Sequence, residues 1–435
     1  MSNFSTKEPI TIFEHSREND TGIKFEELNE KDKIILEKLK DKNKINYSYT
    51  GGSESSLQIT TTSFIGSMSL EGPNRRINIL PKIFKNTKSS IEDINLFLDY
   101  ANNGFNYFEN AKHFYNKTPE HTLLNPLHQT LIVEYQNLIK KGLLKSYVIH
   151  AENTSSMRGK LSMQQQIHND SMLRPTFFCE FDELEYDSIE NRIILQALSV
   201  VERTSDDQNM RMKSLDFAQR LSGLVQKTIV PRTERQRMMQ SYNRQNRRYE
   251  YIHKICDQVI DQSGIQDIYS GNYSYVIPVF YDMNELFENF IQNLFEQCFD
   301  ESSLMVKTQL TKPAWRGEGE LGPRRMKPDI TIWDGKICKQ IIDVKYKTDN
   351  ISAGDLYQLG FYMHEFSELN PKKEQIKHAI AITPEYPGAG SGIYESQTEM
   401  QVFVKRINIQ TCLNLIKSKQ IPELNEQVKN WMSII

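Results

Sequence analysis

Apolar residues along the chain recur with two different periods, and the switches between them mark its elements. Helical spacing, in which apolar side chains return every three or four positions, runs through residues 91–100. It returns over 127–144, where Leu131, Tyr135, Leu138 and Leu143 recur. It is strongest over 188–201, with Ile189, Ile193, Leu195 and Leu198 on one face, and resumes over 215–225. A further helix is expected over 284–299, with the stripe Leu286, Phe287, Phe290, Ile291, Leu294 and Phe295, and a helical tail runs to Ile435. Residues 24–44 form a charged stretch of helical character. β-favouring runs at 57–70 and 76–81 flank Gly72-Pro73-Asn74, which predicts a hairpin or small sheet. Thr50-Gly51-Gly52-Ser53 is another turn signal. Residues 147–187 mix strand-like runs with polar turns, 275–281 suit a buried strand, and 304–346 are dense in strands.

At 435 residues the chain exceeds what one core organises and implies two or three domains. The pattern divides it into a mixed N-terminal part over 1–146, a largely helical middle over 147–270 and a C-terminal part over 271–435. Composition, 38% hydrophobic and 25% charged, is that of a globular protein. No apolar run approaches a membrane span, and the first residues lack the apolar core of a signal peptide, so a cytoplasmic location is expected with no membrane partner. The five cysteines are scattered, without the spacing of a zinc or iron–sulfur site. No two of the nine histidines stand at i, i+4. Any bound metal must therefore be held by carboxylates, which points to a hard ion such as Mg²⁺, with Mn²⁺ as a substitute. A net charge of −3 argues against nucleic-acid binding by a global field and for a local basic patch or a partner that delivers it.

The most informative block is Lys327-Pro-Asp329-Ile-Thr-Ile-Trp333, then Asp334-Gly335, then Gln340-Ile-Ile-Asp343-Val-Lys345-Tyr346. Asp-Gly between β-rich runs is a hairpin signal. Side chains alternate on a strand, so Asp343 and Lys345 share a face, and a hairpin brings Asp329 beside Asp343. Two carboxylates and an ammonium suit phosphodiester hydrolysis: the acids hold a divalent ion, and the ammonium orients water or offsets transition-state charge. By itself Asp-x-Lys is a weak signal, since composition alone supplies roughly one or two per chain of this length. Asp334-Gly335-Lys336 is such a decoy, read as the turn. An exposed Asp–Lys pair on a strand is the competing explanation. On the 284–299 helix, Glu288 falls at the border of the apolar stripe, placed to reach a site at the sheet edge, and Glu285 lies nearly opposite. Gln358 and Tyr362 stand at i, i+4 on a later helix. Arg232, Arg235, Arg237, Arg244, Arg247 and Arg248 are interleaved with Tyr242 and Tyr249. This run is a candidate DNA-contacting surface, against the plainer readings of a solvated helix face or a partner interface.

Taken in order, Glu288, Asp329, Asp343-Val-Lys345, Gln358 and Tyr362 resemble the PD-(D/E)xK nuclease fold, with the Gln-x-x-x-Tyr of its RecB-related branch. More of the chain resembles the McrC family, nuclease subunits of McrBC modification-dependent restriction systems. The matching segments are Ile77-Asn-Ile-Leu-Pro-Lys-Ile83, Met157-Arg-Gly-Lys-Leu161, Phe181-Asp-Glu-Leu-Glu-Tyr-Asp-Ser-Ile-Glu-Asn-Arg192, Asn246-Arg-Arg-Tyr-Glu250, Asp282-Met-Asn-Glu-Leu-Phe-Glu288 and Asp355-Leu-Tyr-Gln-Leu359. That resemblance implies an α/β protein with an α+β N-terminal domain that engages a McrB-like AAA+ GTPase ring and stimulates its GTPase. The C-terminal core, a mixed sheet flanked by helices, would cut double-stranded DNA bearing modified cytosine. It further implies Asp329, Asp343 and Glu288 as metal ligands, Lys345 as a catalytic group, and Gln358 and Tyr362 as supporting or DNA-proximal residues. The chain has no Gly-x4-Gly-Lys-Ser/Thr loop, so no nucleotide site of its own is expected. The rival readings are a stand-alone RecB-like nuclease and a non-catalytic activator that keeps the scaffold.

Overall fold

The computed structural model describes residues 9–16, 20–49, 56–70, 72–85, 91–103, 126–205, 207–263, 280–300, 303–316, 322 and 324–432. The turn signal at 50–53, most of the strand expected over 275–281 and the last residues of the tail lie outside them. The architecture is mixed α/β, and its contacts resolve into two compact units, one of residues 1–126 with 278–435 and the other of 127–277. The boundaries expected at 146 and 270 thus do not coincide with those of the units: the first and last parts of the chain share one unit. The reason is a strand exchange. Phe280–Asp282 pairs antiparallel with Phe64–Leu70, closing an N-terminal sheet from the far side of the sequence.

In that unit, Phe64–Leu70 and Arg75–Leu80 form the expected hairpin, with Ile10–Phe13 added in parallel to the second strand. Ser56–Thr60, by contrast, belongs to a separate three-stranded sheet with Asp20–Lys24 and Asn46–Tyr49. The charged stretch at 24–44 is α-helical over Glu30–Asp41, after a single 3-10 turn at Phe25–Glu27, because Asn29 and Asp32 form a reciprocal capping box that starts the helix there. The helix Met283–Phe299 begins at the Asp282 cap, and its stripe is buried as expected: Phe287, Phe290, Ile291 and Phe295 have no exposed surface. Each such burial is worth about 2 kcal/mol. Phe290 packs against Phe97 and Tyr100 of the helix Ile91–Asn103, with ring centroids 5.0 and 5.2 Å away.

The large sheet of the same unit has six strands in the order Met305–Thr308, Ile330–Asp334, Ile337–Val344, His378–Pro384, Gln401–Ile407 and Gly392–Glu395. Its edges are antiparallel and its centre parallel, from Ile337–Val344 through His378–Pro384 to Gln401–Ile407. This is the expected mixed sheet. The two central parallel pairings need a crossover, and the helix Ala353–Leu369 supplies the first. Leu359, Met363 and Phe366 of that helix pack with Ile341, Ala379 and Val402 of the sheet.

The second unit combines helices, among them Ile189–Thr204, Gln208–Ser222, Arg232–Met239 and Glu250–Ser263, with a small sheet of Ser146–Thr154, Phe177–Glu185 and Lys160–Leu161. Asn191 is fully buried here. Its amide donates to the carbonyls of Leu144 and Tyr186, and its oxygen accepts from Tyr249 Oη at 2.9 Å. Arg192 forks onto Asp187 at 2.8 and 2.7 Å. The Asp187–Arg192 and Asn246–Glu250 segments thus meet as packing elements. Gly159 is required sterically: at φ +65°, a Cβ there would lie 2.4 Å from the Glu180 carbonyl.

Candidate active site

Gly335, at φ +57°, supplies the left-handed turn residue that lets Ile330–Asp334 fold back on Ile337–Val344. Ile330 stands opposite Ile342, and continuing that register one place brings Asp329 opposite Asp343. Asp329 Oδ2 accepts a hydrogen bond from the Val344 N–H at 2.7 Å, tying its carboxylate to the neighbouring strand. Asp343 is 1% exposed. Lys345 Nζ lies 2.9 Å from Asp343 Oδ2, a buried ion pair. Lys345 is itself held by its N–H bond to the Ile382 carbonyl at 2.8 Å. On the helix, Glu288 is half-buried and Glu285 exposed. Glu288 Oε1 accepts from Gln292 Nε2 at 2.9 Å and from Gln309.

The electrostatics record a surplus of negative charge. Burial, then the charge of Asp329, push the Asp343 carboxyl up to about 7, and the opposing pull of Lys345 does not offset them. Burial raises Asp329 to about 6 against the lowering by the Val344 N–H, and Glu288 adds to the rise. Glu288 is raised by burial in spite of its bond with Asp329 and the charges of Lys327 and Lys345. Burial works to lower Lys345, but Asp343, then Asp329 and Asp355, outweigh it and hold the ammonium above its usual range. Carboxylates crowded beyond what one ammonium balances are stabilised by a divalent cation.

The donors fit a hard ion. Mg²⁺ is usually bound through one or two carboxylates, completing its octahedron with water and substrate phosphate. Asp329 and Asp343 are such a pair: both carboxyls are raised by burial and by a neighbouring carboxylate, a cost that a cation would relieve. Glu288 does not complete a tight cage with them. Among the described residues, the trio whose ligand atoms all lie within 4.8 Å of one another is His150, Glu183 and Glu185 in the other unit. There His150 Nε2 already sits 2.8 Å from Glu185 and Arg158 is 3.5 Å from Glu183, so the acids have cationic or donor partners of their own.

The other residues selected from the sequence fare differently. Gln358 donates to Tyr362 Oη at 2.9 Å, the expected i, i+4 pair. Among the described residues neither side chain bonds Asp329, Asp343 or Lys345. Arg235 leaves the candidate DNA surface. Its guanidinium is buried and pairs with Asp257 at 2.6 Å, with Asp261 and with the Val230 carbonyl, because a helix interior must neutralise such a group. Arg232 also reaches Asp261, at 3.2 Å. Arg237, Arg244, Arg247 and Arg248 are exposed. Tyr249 is fully buried, and Tyr242 Oη bonds His253 Nδ1 at 2.9 Å, so both tyrosines pack rather than present stacking faces.

Sequence reasoning missed several groups around the acids. Lys347 pairs with Asp355 at 2.5 Å, and Asp355 also accepts from Ser352 Oγ and N–H. Glu14 is 1% exposed and accepts from Tyr346 Oη and from the Lys82 N–H. Burial raises the Glu14 carboxyl to about 7 against those bonds. The two residues after Lys345 are thus anchored to different elements. Only the position of Lys82 within the Ile77–Ile83 segment hinted at this.

Likeness to known proteins bears on the family. The sequence profile of the McrBC 5-methylcytosine restriction system component family matches residues 59–372. A search of curated proteins found no match. Among solved structures, the fold is similar to a chain of the half-complex from the tetradecameric assembly of Thermococcus gammatolerans McrB AAA+ hexamers with bound McrC. The identity is 16% and the TM-score 0.59, covering 95% of this chain and 99% of that one. A chain of the cryo-EM structure of the Thermococcus gammatolerans McrBC complex is matched at 19% identity and TM-score 0.48, over 67% of this chain and 88% of that one. A profile that spans most of the sequence assigns it: the chain belongs to the McrBC 5-methylcytosine restriction system component family.

Proposed function

We propose that this chain is the DNA-cleaving subunit of a GTP-dependent restriction complex directed at modified cytosine. It would act as a Mg²⁺-dependent endodeoxyribonuclease whose partner is a McrB-like AAA+ GTPase ring, and it would stimulate that GTPase. The carrying observation is the buried Asp343 beside Asp329 and paired with Lys345 at 2.9 Å. Bound Mg²⁺ would polarise the scissile phosphate and lower the pKa of a coordinated water. Asp329 and Asp343 would hold the ion, with Asp329 kept in orientation by the Val344 N–H. Glu288, held by Gln292 and Gln309, would be an accessory ligand. The Lys345 ammonium stays protonated and directs its charge at the phosphate or the attacking water. Gln358 and Tyr362, on the helix that begins at the Ser352 cap, would support the site or touch the DNA backbone. The family and the likeness to a chain of an assembly of McrB hexamers with bound McrC support the ring as partner.

The test is cleavage of duplex DNA carrying modified cytosine, by the chain with and without its GTPase partner, GTP and Mg²⁺. Lys345→Ala should abolish cutting and leave stimulation of the partner's GTPase intact. Unchanged cutting by that variant would defeat the assignment. Vigorous specific cutting by the isolated wild-type chain would favour a stand-alone nuclease.

A further inference from the structure

Immediately before Asp329 the chain forms a two-stranded antiparallel ribbon, Lys312–Trp315 with Arg324–Met326, which the nuclease reading does not use. Arg325 stands opposite Pro313, and Arg324 opposite Trp315 across a bulge. One face is anchored: Met326 is buried in the core of the large sheet, with Ala314 packed against it. The ribbon also carries four cations, of which Arg325 alternates to the face opposite Met326. Arg316, Arg324 and Arg325 are exposed and Lys312 half-exposed. Among the described residues, none of the four makes an ion pair or a side-chain hydrogen bond. In that they differ from Arg232 and Arg235, which are paired with acids.

An exposed tryptophan stands in the middle of these charges. Trp315 is 62% exposed, and its indole stacks on Phe361 with centroids 5.6 Å apart and planes 8° from parallel. Phe361 belongs to the helix Ala353–Leu369 that covers the sheet. One indole face is thus supported and the other open, an arrangement that holds the ring rigid without hiding it. Ordinary solvating charges need no such aromatic. Arg325 lies four residues before Asp329, no more than about 14 Å along an extended backbone, so whatever the ribbon holds lies within a few phosphates of the acids.

We infer that this ribbon is a DNA grip flanking the cleavage centre: Lys312, Arg316, Arg324 and Arg325 contact the phosphodiester backbone, and the open face of Trp315 packs on a sugar or base. The inference rests on the DNA-cleaving reading for its choice of ligand. Charge complementarity favours nucleic acid, since a chain of net charge −3 must concentrate its cations where phosphates pass, and stacking on an aromatic tolerates any base.

The experiment is fluorescence anisotropy of the full chain with a short labelled duplex, over a salt series and without divalent ions, so that nothing is cut. Arg324→Glu/Arg325→Glu should weaken binding tenfold or more and lower the slope of log K against log salt by about 2, as expected for two lost phosphate contacts. Arg324→Lys/Arg325→Lys should restore most of the affinity, which a merely misfolded variant could not do. Trp315→Ala should weaken binding and leave the salt slope unchanged. Wild-type affinity and slope in the double glutamate variant would overturn the inference, as would failure of the unaltered chain to bind duplex at low salt. Binding is separable from chemistry. If the wild-type chain with its partner cuts no DNA while the ribbon variants still lose binding, the nuclease reading fails and the grip stands. If cutting is normal and the variants bind as the wild type does, the grip fails and the nuclease reading stands.

Discussion

The substitution Asp343→Asn should make the metal-free protein more stable and the enzyme inactive, because the wild-type carboxylate sits where burial and Asp329 both oppose its charge. The folded pKa is raised to about 7 from an ordinary 3.8. A raised carboxyl destabilises the fold: below its ordinary value both states hold the proton and nothing is lost, and the cost grows as pH climbs from about 4 to about 7. At full displacement this amounts to roughly 4 kcal/mol. The uncharged amide would escape that cost, in which the attraction of Lys345 is already counted, so a net gain of about 1–2 kcal/mol at pH 8 is expected once relaxation and water penetration are counted. For a unit of this size the gain is a rise in Tm of about 2–8 °C. Thermal unfolding in EDTA at pH 8 and pH 4 measures it, with the difference shrinking at pH 4. In the same variant, cleavage should fall by at least about a hundredfold. A Tm lowered equally at both pH values, or cleavage at the wild-type rate, would refute the reasoning.

Two further outcomes follow from the same geometry. Mg²⁺ or Ca²⁺ should raise the Tm of the wild-type chain more at pH 8 than at pH 5. The raised carboxyls of Asp329 and Asp343 compete for protons below about 7, and metal binding must displace them; a pH-independent gain would contradict this. Arg235→Ala should destabilise the unit of residues 127–277 by about 3 kcal/mol, since it strands Asp257 and leaves Asp261 with Arg232 alone. Urea unfolding followed by helical signal reads it, and a loss under about 1 kcal/mol would return Arg235 to the surface set.

Local physics was enough for much of this protein. The stripe from Leu286 to Phe295 has the period of one helix face and was buried as such, because 100° per residue leaves those side chains no other common direction. Asp334-Gly335 turned the acidic hairpin, since glycine reaches φ +57° at little cost, and strand alternation then placed Asp343 and Lys345 on one face. The order of motifs sufficed for the family. What the linear pattern could not carry were partners remote in sequence. Phe280–Asp282 joins a sheet more than two hundred residues upstream, and Tyr346 is held by Glu14. Arg235 reads as one basic residue in a basic run until Asp257 and Asp261 close around it. Whether a charge faces water or an opposite charge depends on which helix lands beside it. Packing decides that, and a one-dimensional spacing does not encode it.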